Sequence, residues 1–288
     1  MSNLLRSLLF DGQVSITVAD TTKAVQKAVQ LHKLSPLSTY VFGKALSAMT
    51  FASACLKGER GEISLALHSD GVCGDIAVSG NQKLHMRGYI SATNLLGVPV
   101  PEEEGKALGD NVTLTIIRDD GYARPFVGTC QCRGEVGIDA AMEEYYTISE
   151  QLPTRIFTTV KLDKKGKCTF AGVVALQPLP FADEKAKKET ENCSLESVLA
   201  NVEKDGIEKA VINRFGIDEN VWEVREMQYK CNCSRRYLTR VLVSLGEEQM
   251  RQIILEDGKV EVHCHYCNKD YAFTQADADK LFAKKVRK

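Results

Sequence analysis

Four cysteines near the C-terminal end of the sequence form two close pairs, Cys231-Asn232-Cys233 and Cys264-His265-Tyr266-Cys267. Two short chelating loops, brought together by folding, suit the tetrahedral four-thiolate coordination of Zn²⁺, a d¹⁰ ion with no other geometric demand. The spacing therefore predicts one zinc ion bound by Cys231, Cys233, Cys264 and Cys267.

The two histidines beside Cys264 leave one alternative open. His263 and His265 can each supply a nitrogen ligand in place of one sulfur, or they can form hydrogen bonds outside the ligand set or be exposed.

The first cysteine pair, Cys-x-Cys, has one residue fewer between its cysteines than the usual Cys-x-x-Cys and so forms a tighter chelating loop. Without the metal each pair can close as a local disulfide, and a bridge between residues two apart should be strained and readily reversed. Such chemistry fits a redox sensor.

The chain has ten cysteines, and clustered cysteines in a larger intracellular protein more often bind metal or carry out redox chemistry than form structural disulfides. Cys130 and Cys132 would share one face of a strand, and we interpret them as small apolar packing residues. Cys193 lies in a charged segment, and its exposure stays open.

The N-terminal half begins with a strand and two helices. Residues 13–19 alternate polar and apolar side chains as a half-buried strand does, and Thr21 or Thr22 offers a cap for the following helix. The next helix begins at Pro36 and ends near Gly58. Because it is apolar on most faces, we expect it to run through the centre of the domain.

Short strand-like runs then alternate with glycine-containing turns, with one helical stretch at about residues 138–151. These features predict an α+β fold with an N-terminal mixed sheet, buried helices, a helical linker and a small C-terminal zinc-binding domain. The predicted boundaries are 1–180, 181–228 and 229–288. The strand-like runs are EISLALH, GDIAVSG, LHMRGYI, VTLTIIR, RIFTTVKL and CTFAGVVALQ.

The predicted linker is charged but has helical periodicity. Residues 183–209 carry eight acidic and five basic side chains. Leucine and valine recur at helical spacing, and Ser194 is placed to cap the first turn. Such a helix depends on docking its apolar stripe and is easily released. A solvated connecting helix without a switching role remains the alternative.

Several functional classes are disfavoured. With 37 basic and 38 acidic residues, the net charge of −1 gives no reason to expect nucleic acid or a membrane as partner. Polar residues interrupt the apolar stretch 37–56, which favours a buried helix over a membrane span. The N-terminal run Met1–Phe10 has only Arg6 as a basic residue and no clear cleavage site, so we predict no signal peptide and expect a cytoplasmic protein. The ATPase loop, the hydrolase nucleophile elbow and the metalloprotease helix motif are absent, so we expect that the protein is not an enzyme.

Three other interpretations of the cysteine segment remain. Residues 231–288 carry eleven basic and eight acidic side chains, which would suit a nucleic-acid-binding zinc ribbon. Four of those basic residues form the terminal tail, and without it the segment has a net charge of −1. A thiol-disulfide oxidoreductase would need a thioredoxin-like pattern around Cys264, which is missing. A purely structural zinc site shares every residue with the redox interpretation. The tail residues are Lys284, Lys285, Arg287 and Lys288.

The order of these motifs resembles the redox-regulated 33 kDa chaperonin family of bacterial heat-shock proteins across nearly the whole chain. The zinc segment matches at Cys231-x-Cys233-Ser234, Leu245-Gly246, Cys264-x-x-Cys267 and Tyr271-x-Phe273. The N-terminal part matches at Arg87-Gly88-Tyr89, at Tyr145-Tyr146-x-x-Ser149-Glu150-Gln151-x-Pro153-Thr154 and at Gln177-Pro178-Leu179-Pro180.

The resemblance implies an ATP-independent chaperone, a holdase that binds unfolded client proteins and has an inactive, reduced, zinc-bound form. It implies that oxidation pairs Cys231 with Cys233 and Cys264 with Cys267, releases zinc, unfolds the C-terminal region and exposes a client-binding surface. It also implies that activation produces a homodimer.

Overall fold

The computed structural model describes residues 3–122, 124–217 and 222–283, and it confirms the α+β class. The chain forms two compact units, Met1–Lys230 and Cys231–Lys288. In chain order the strands are β1 (Leu4–Leu9), β2 (Val14–Asp20), β3 (Glu62–Ser69), β4 (Ile76–Asn81), β5 (His85–Ile90), β6 (Val112–Asp119), β7 (Phe126–Cys132), β8 (Arg155–Leu162), β9 (Cys168–Pro178), β10 (Glu223–Arg225), β11 (Gln228–Tyr229), β12 (Val260–Cys264) and β13 (Lys269–Phe273).

Helices connect and cover these strands. They are α1 (Thr22–His32), α2 (Pro36–Ala54), α3 (Pro101–Leu108), α4 (Gly137–Ile148), α5 (Glu184–Asn192), α6 (Leu195–Asp205), α7 (Ile207–Phe215), α8 (Arg235–Leu245), α9 (Glu247–Asp257) and α10 (Gln275–Phe282). In the described part of the chain, none of them is long and apolar enough to cross a membrane.

The structure divides the predicted sheet of the first unit into two. One sheet has the strand order β10-β1-β2-β9-β8 and is antiparallel throughout. The other has the order β11-β5-β4-β3-β6-β7, with a parallel pairing only between β11 and β5 among the described residues. The mixed sheet expected from the sequence is this second one.

Helix α2 occupies the centre of the first unit, as its sequence predicts. Every residue after Pro36 in this helix is buried, and it contacts strands of both sheets. The Ser35 side chain accepts a hydrogen bond from the Ser38 amide, and Pro36 takes the first helical position, where its missing N–H costs nothing. The helix ends at Ala54, before the predicted stop at Gly58.

The N-terminal end of α1 differs from the prediction. Thr21 precedes the helix, but its hydroxyl makes no cap, because the residue is fully buried and its Oγ1 lies 2.6 Å from the Ser47 hydroxyl on α2. The Thr22 amide instead donates to the Asp20 carboxylate at 2.9 Å. Asp20, at the end of β2, therefore accepts from the first amide of α1. Thr21 instead forms a hydrogen bond between the start of α1 and helix α2.

Strand β9 separates two hydrophobic cores. Val173 and Ala175 face the core around α2, whereas Val174 and Leu176 face a second core on the opposite side of the sheet. Because side chains alternate along a strand, a strand buried on both faces reads as a continuous apolar run. This explains the unbroken run of hydrophobic residues in β9.

The helices of the predicted linker cover this second face of the sheet. Helices α5, α6 and α7 bury an apolar stripe there, and the Ser194 side chain caps α6 by accepting from the Ser197 amide. Of the two alternatives left by the sequence, the structure favours docked helices. Arg155 of β8 also holds these helices through polar contacts, since its Nη1 donates to three carbonyl oxygens in the last turn of α5 and just before α6. These are the carbonyls of Thr190, Glu191 and Cys193.

Candidate metal centre

The second unit is built on few apolar side chains. Helices α8, α9 and α10 surround the antiparallel hairpin of β12 and β13. A core this small gives limited stability by itself, which makes an additional crosslink important. The buried residues of the core are Leu242, Met250, Ile254, Val260, Phe273 and Ala278.

The hairpin turn positions the second cysteine pair. Cys264 ends β12, and its carbonyl oxygen accepts hydrogen bonds from the Cys267 amide at 3.2 Å and the Asn268 amide at 2.8 Å. Asn268 has a φ of 55°, and asparagine tolerates this left-handed conformation better than most residues. The tight turn directs the Cys264 and Cys267 sulfurs to the same side.

The first pair is held by the start of α8. Ser234 caps this helix by accepting from the Tyr237 amide at 3.1 Å, which fixes the chain immediately after Cys233. The Cys233 amide donates to the Cys231 sulfur at 3.5 Å. The Cys-x-Cys segment therefore presents two sulfurs from one compact loop.

The structure brings all four predicted sulfurs together. The Sγ atoms of Cys231, Cys233, Cys264 and Cys267 lie within 4.8 Å of one another. Cys231 and Cys264 are separated by 3.8 Å between sulfurs, and Cys233 and Cys267 by 3.2 Å. Tetrahedral coordination with metal–sulfur bonds of about 2.3 Å requires sulfurs about 3.8 Å apart. The donor set and its spacing fit one metal ion.

The flanking histidines lie outside this cluster. Among the described residues, the cluster consists of the four cysteines alone. The His263 Nδ1 atom lies 2.6 Å from the Asp270 carboxylate, and its ring is 5.0 Å from that of His265. His263 is thus engaged in a different interaction.

Tyr271 is a neighbour of the cluster that its sequence position did not reveal. Its hydroxyl lies 3.3 Å from the Cys233 sulfur. Burial pushes the pKa of Cys233 upwards, but hydrogen bonds from Tyr271 and from the neighbouring thiols outweigh it and lower that pKa to about 7. Burial raises the pKa of Cys231 to about 11. In the thiol form, the cluster therefore contains groups of very different acidity.

The other cysteines lie apart from the cluster. Cys130 is buried in the first core and Cys132 is half-buried on the same face of β7, which confirms that they are packing residues. Cys193 is only 3% exposed and lies in the second core, so it is not a surface thiol. The basic tail Lys284, Lys285, Arg287 and Lys288, on which the nucleic-acid alternative depends, lies outside the described residues.

Fold and site together define an α+β protein with a four-cysteine cluster, suited to a metal ion, in a separate small C-terminal unit. Residues 2–274 match the family model described as Hsp33 protein. The chain belongs to this family.

Several similar proteins are 33 kDa chaperonins. The 33 kDa chaperonin of Clostridium perfringens (strain SM101 / Type A) is 32% identical over 296 residues, covering 99% of this chain and 92% of that protein. The 33 kDa chaperonin of Thermoanaerobacter sp. (strain X514) is 29% identical, covering 96% and 97%. The crystal structure of the 33 kDa chaperonin from Thermotoga maritima superposes with a TM-score of 0.77 at 25% identity and covers 99% of both chains.

Proposed function

We propose that this protein is a redox-regulated, ATP-independent holdase of the cytoplasm that binds unfolding client proteins and is not an enzyme. The observation that carries the proposal is the placement of four thiols within 4.8 Å of one another in a unit with a minimal core. Membership in a family whose relatives are named chaperonins supports the client-binding part.

In the resting form Cys231, Cys233, Cys264 and Cys267 hold one Zn²⁺ as thiolates. A bound zinc ion keeps these sulfurs deprotonated and joins the Cys-x-Cys loop to the hairpin turn. Zinc suits the site because a d¹⁰ ion accepts four thiolates without redox chemistry of its own. The cysteines are therefore the groups that sense the oxidant.

Oxidation removes all four ligands. Two thiolates, one peroxide molecule and two protons give one disulfide and two water molecules, so two peroxide molecules oxidise the whole site. We propose that Cys231 pairs with Cys233 and Cys264 with Cys267, each within its own loop. With every thiolate consumed, zinc leaves and the crosslink between the loops is lost.

Loss of the crosslink should unfold the second unit. Structural zinc contributes on the order of 10–16 kcal/mol in small zinc-finger peptides. This is as large as the whole stability of a typical domain, about 5–15 kcal/mol. Among the described residues, the core of this unit has six buried side chains with six half-buried hydrophobic residues packed against them, which is a small core for a unit without its metal.

Helices α5 to α7 cover the surface that we propose the switch exposes. They form the predicted linker, and their apolar stripe covers hydrophobic residues of β1, β2 and β9. Release of these helices would expose apolar surface on both the helices and the sheet, which suits the binding of partly unfolded chains. We propose that this surface holds clients and that the activated form is a homodimer.

The proposal is tested by light scattering from a heat-aggregating client protein. The reduced, zinc-loaded chain should leave aggregation unchanged, and the peroxide-treated chain should suppress it, with disulfide mapping by mass spectrometry identifying the two local pairs. The Cys132→Ser variant is a control for replacing a cysteine outside the cluster, and it should behave like the wild type in both forms. The Cys132 sulfur donates to the Val112 carbonyl, and a serine hydroxyl can do the same. Equal behaviour of both forms would mean that the site is a structural zinc ribbon without a switch.

A further inference from the structure

One short segment covers an edge of both sheets in the first unit. This strap, residues 223–230, contributes β10 to the edge of β1 and β11 to the edge of β5. The first pairing is antiparallel and the second is parallel. A single extended piece of chain thus closes two sheet edges that would otherwise present unpaired backbone groups.

The strap is held largely through backbone atoms. The Asn3 amide donates to the Arg225 carbonyl at 3.1 Å, the Gln228 amide to the Leu84 carbonyl at 3.0 Å, and the Lys230 amide to the Met86 carbonyl at 2.8 Å. The Asn3 side chain also bonds to the amide and carbonyl of Met227, at 2.6 and 3.0 Å. Backbone pairing of this kind depends little on sequence.

Three side chains also anchor the strap, and one of them is Arg225, whose Nη2 donates to the Gln82 carbonyl. Met227 is buried in the core around α2, with 3% of its surface exposed. The Tyr229 hydroxyl donates to the Gly88 carbonyl at 2.7 Å and accepts from the Gly88 amide at 3.2 Å. The side chains of Glu223, Val224 and Gln228 are exposed. The strap is therefore an extended segment held by its backbone and by three side chains, one apolar, one aromatic and one basic.

We propose that the edges of β1 and β5 are binding sites for extended segments of unfolded client chains, and that the strap occupies them in the resting form. This inference rests on the proposed holdase function. The occupant follows from the strap itself, because the edges already bind an extended peptide through its backbone, and unfolded clients supply such segments without a defined sequence.

Its position in the chain links the strap to the metal centre. Lys230, its last residue, directly precedes Cys231. When the second unit unfolds, the residues that follow the strap become disordered. The C-terminal end of the strap, which pairs with β5 only through the short β11, should therefore detach from the sheet first. The edge of β5 is then the first to open, followed by the edge of β1.

A matched pair of variants tests whether the strap opens separately. Tyr229→Phe removes the hydroxyl that joins the strap to Gly88, whereas Tyr145→Phe removes a hydroxyl that donates to Glu150 at 3.0 Å elsewhere in the unit. Hydrogen exchange should show protection of residues 223–230 falling about twofold to tenfold in Tyr229→Phe only. Unchanged protection in that variant would contradict a separately opening strap.

A synthetic peptide with the sequence of residues 222–230 tests the edges directly. Its binding to the peroxide-treated full chain is measured by fluorescence anisotropy, beside a peptide carrying N-methyl groups at Gln228 and Lys230. Those two amides donate to Leu84 and Met86 at the β5 edge, so methylation should weaken binding, leaving only the pairing with the β1 edge. Equal binding of the two peptides would overturn pairing at the β5 edge.

The deciding experiment is hydrogen exchange of the full chain, reduced and peroxide-treated, with reduced carboxymethylated α-lactalbumin as an unfolded probe without free thiols. The strap should lose protection on oxidation, and β1 and β5 should gain protection only when the probe is added. Probe binding with the strap still protected would overturn this inference alone. Protection that instead rises with the chain's own concentration would assign the edges to a second copy. Failure to suppress client aggregation at all would overturn the proposed function.

Discussion

Lys44 is a buried cation at the junction of three helices. Its ammonium group lies 2.8 Å from the Glu104 carboxylate of α3 and 3.2 Å from the Asp139 carboxylate of α4. Glu104 also accepts from the Ile138 amide at 2.9 Å, and Asp139 accepts from both the amide and the hydroxyl of Thr158. Every member of this network is paired, as buried charges require.

We expect Lys44→Met to lower the free energy of unfolding by about 3–5 kcal/mol, because it leaves two carboxylates buried without their cation. Urea denaturation of the zinc-loaded protein measures the change. Lys106→Met is the control, since Lys106 makes an exposed ion pair with Glu103 and its loss should cost less than about 1 kcal/mol. Similar losses in the two variants would contradict this account of Lys44.

Asp183, just before α5, makes the stability of the fold depend on pH. Its carboxylate accepts from the Ala186 amide at 2.7 Å and from the Gln13 side chain at 3.4 Å, and the Ala186 hydrogen bond lowers the pKa of Asp183. Because the pKa is lower in the folded state, the charged carboxylate stabilises the fold above the unfolded pKa of about 3.9. That contribution is lost as the pH falls through the folded pKa.

Asp183→Asn keeps a capping side chain but removes its charge. We expect wild type to have a higher urea midpoint than Asp183→Asn at pH 6, and the difference to vanish below the folded pKa. Fluorescence of Trp222, which lies against the same core as α5, reports the transition. A constant difference across this pH range would show that the Asp183 charge is not responsible.

At the residue scale, the sequence predicted the four clustered cysteines but not the residues that surround them. The cysteines are recognisable because metal ligands must be close in sequence within each loop. Tyr271 comes to lie beside Cys233 only because the chain reverses direction at the hairpin turn. Lys44 seemed merely to interrupt an apolar helix, because its partner Glu104 lies 60 residues away.

At the scale of elements, segments with a periodic or continuous apolar pattern were predicted correctly, whereas a helix that depends on a tertiary contact was missed. Strands β2, β3 and β8 and helix α2 lie where alternation or continuous apolar sequence placed them. Helix α3 was not predicted, since it contains Gly105 and three acidic residues, and its packing depends on the contact between Glu104 and Lys44. Local propensity cannot report such a tertiary contact.

The docking of the linker helices makes a prediction about activity. Leu199 of α6 is buried in the core that the linker helices share with the sheet, and Leu46 of α2 is buried in the other core. Replacing either by alanine should cost about 2–5 kcal/mol. Only Leu199→Ala should release the linker, so it should suppress client aggregation while still reduced and should change Trp222 fluorescence.

Leu46→Ala controls for general destabilisation. If it activates the reduced protein as strongly as Leu199→Ala, then loss of stability anywhere in the unit is sufficient, and linker docking has no special role. If neither variant is active, the surface beneath the linker is not the client-binding surface.

At the scale of the whole molecule, the two units should respond differently to loss of the metal. Chelation of the reduced, zinc-loaded protein should make residues 231–288 sensitive to protease, because the small core described for that unit cannot stabilise it without the metal. The first unit has two extensive cores and should remain resistant. Limited proteolysis with mass mapping measures both responses, and a resistant second unit would show that zinc is not needed for its fold.

The sequence predicted the α+β class of the molecule, which the structure confirms. Composition shifts predicted a linker from 181 to 228, and in the structure its helices α5 to α7 share a core with β1, β2 and β9. The strap was missed, because β10 and β11 are three and two residues long and carry no periodic signal. Their pairing is set by the sheets that they join.

The most direct test of the account follows zinc release and client aggregation in the same samples across a series of peroxide concentrations. We predict that the fraction of zinc released and the fraction of aggregation suppressed increase together, reaching completion at two peroxide molecules reduced per chain. Complete zinc release without suppression, or suppression while zinc remains bound, would contradict the proposal that oxidation of the four cysteines activates this chaperone.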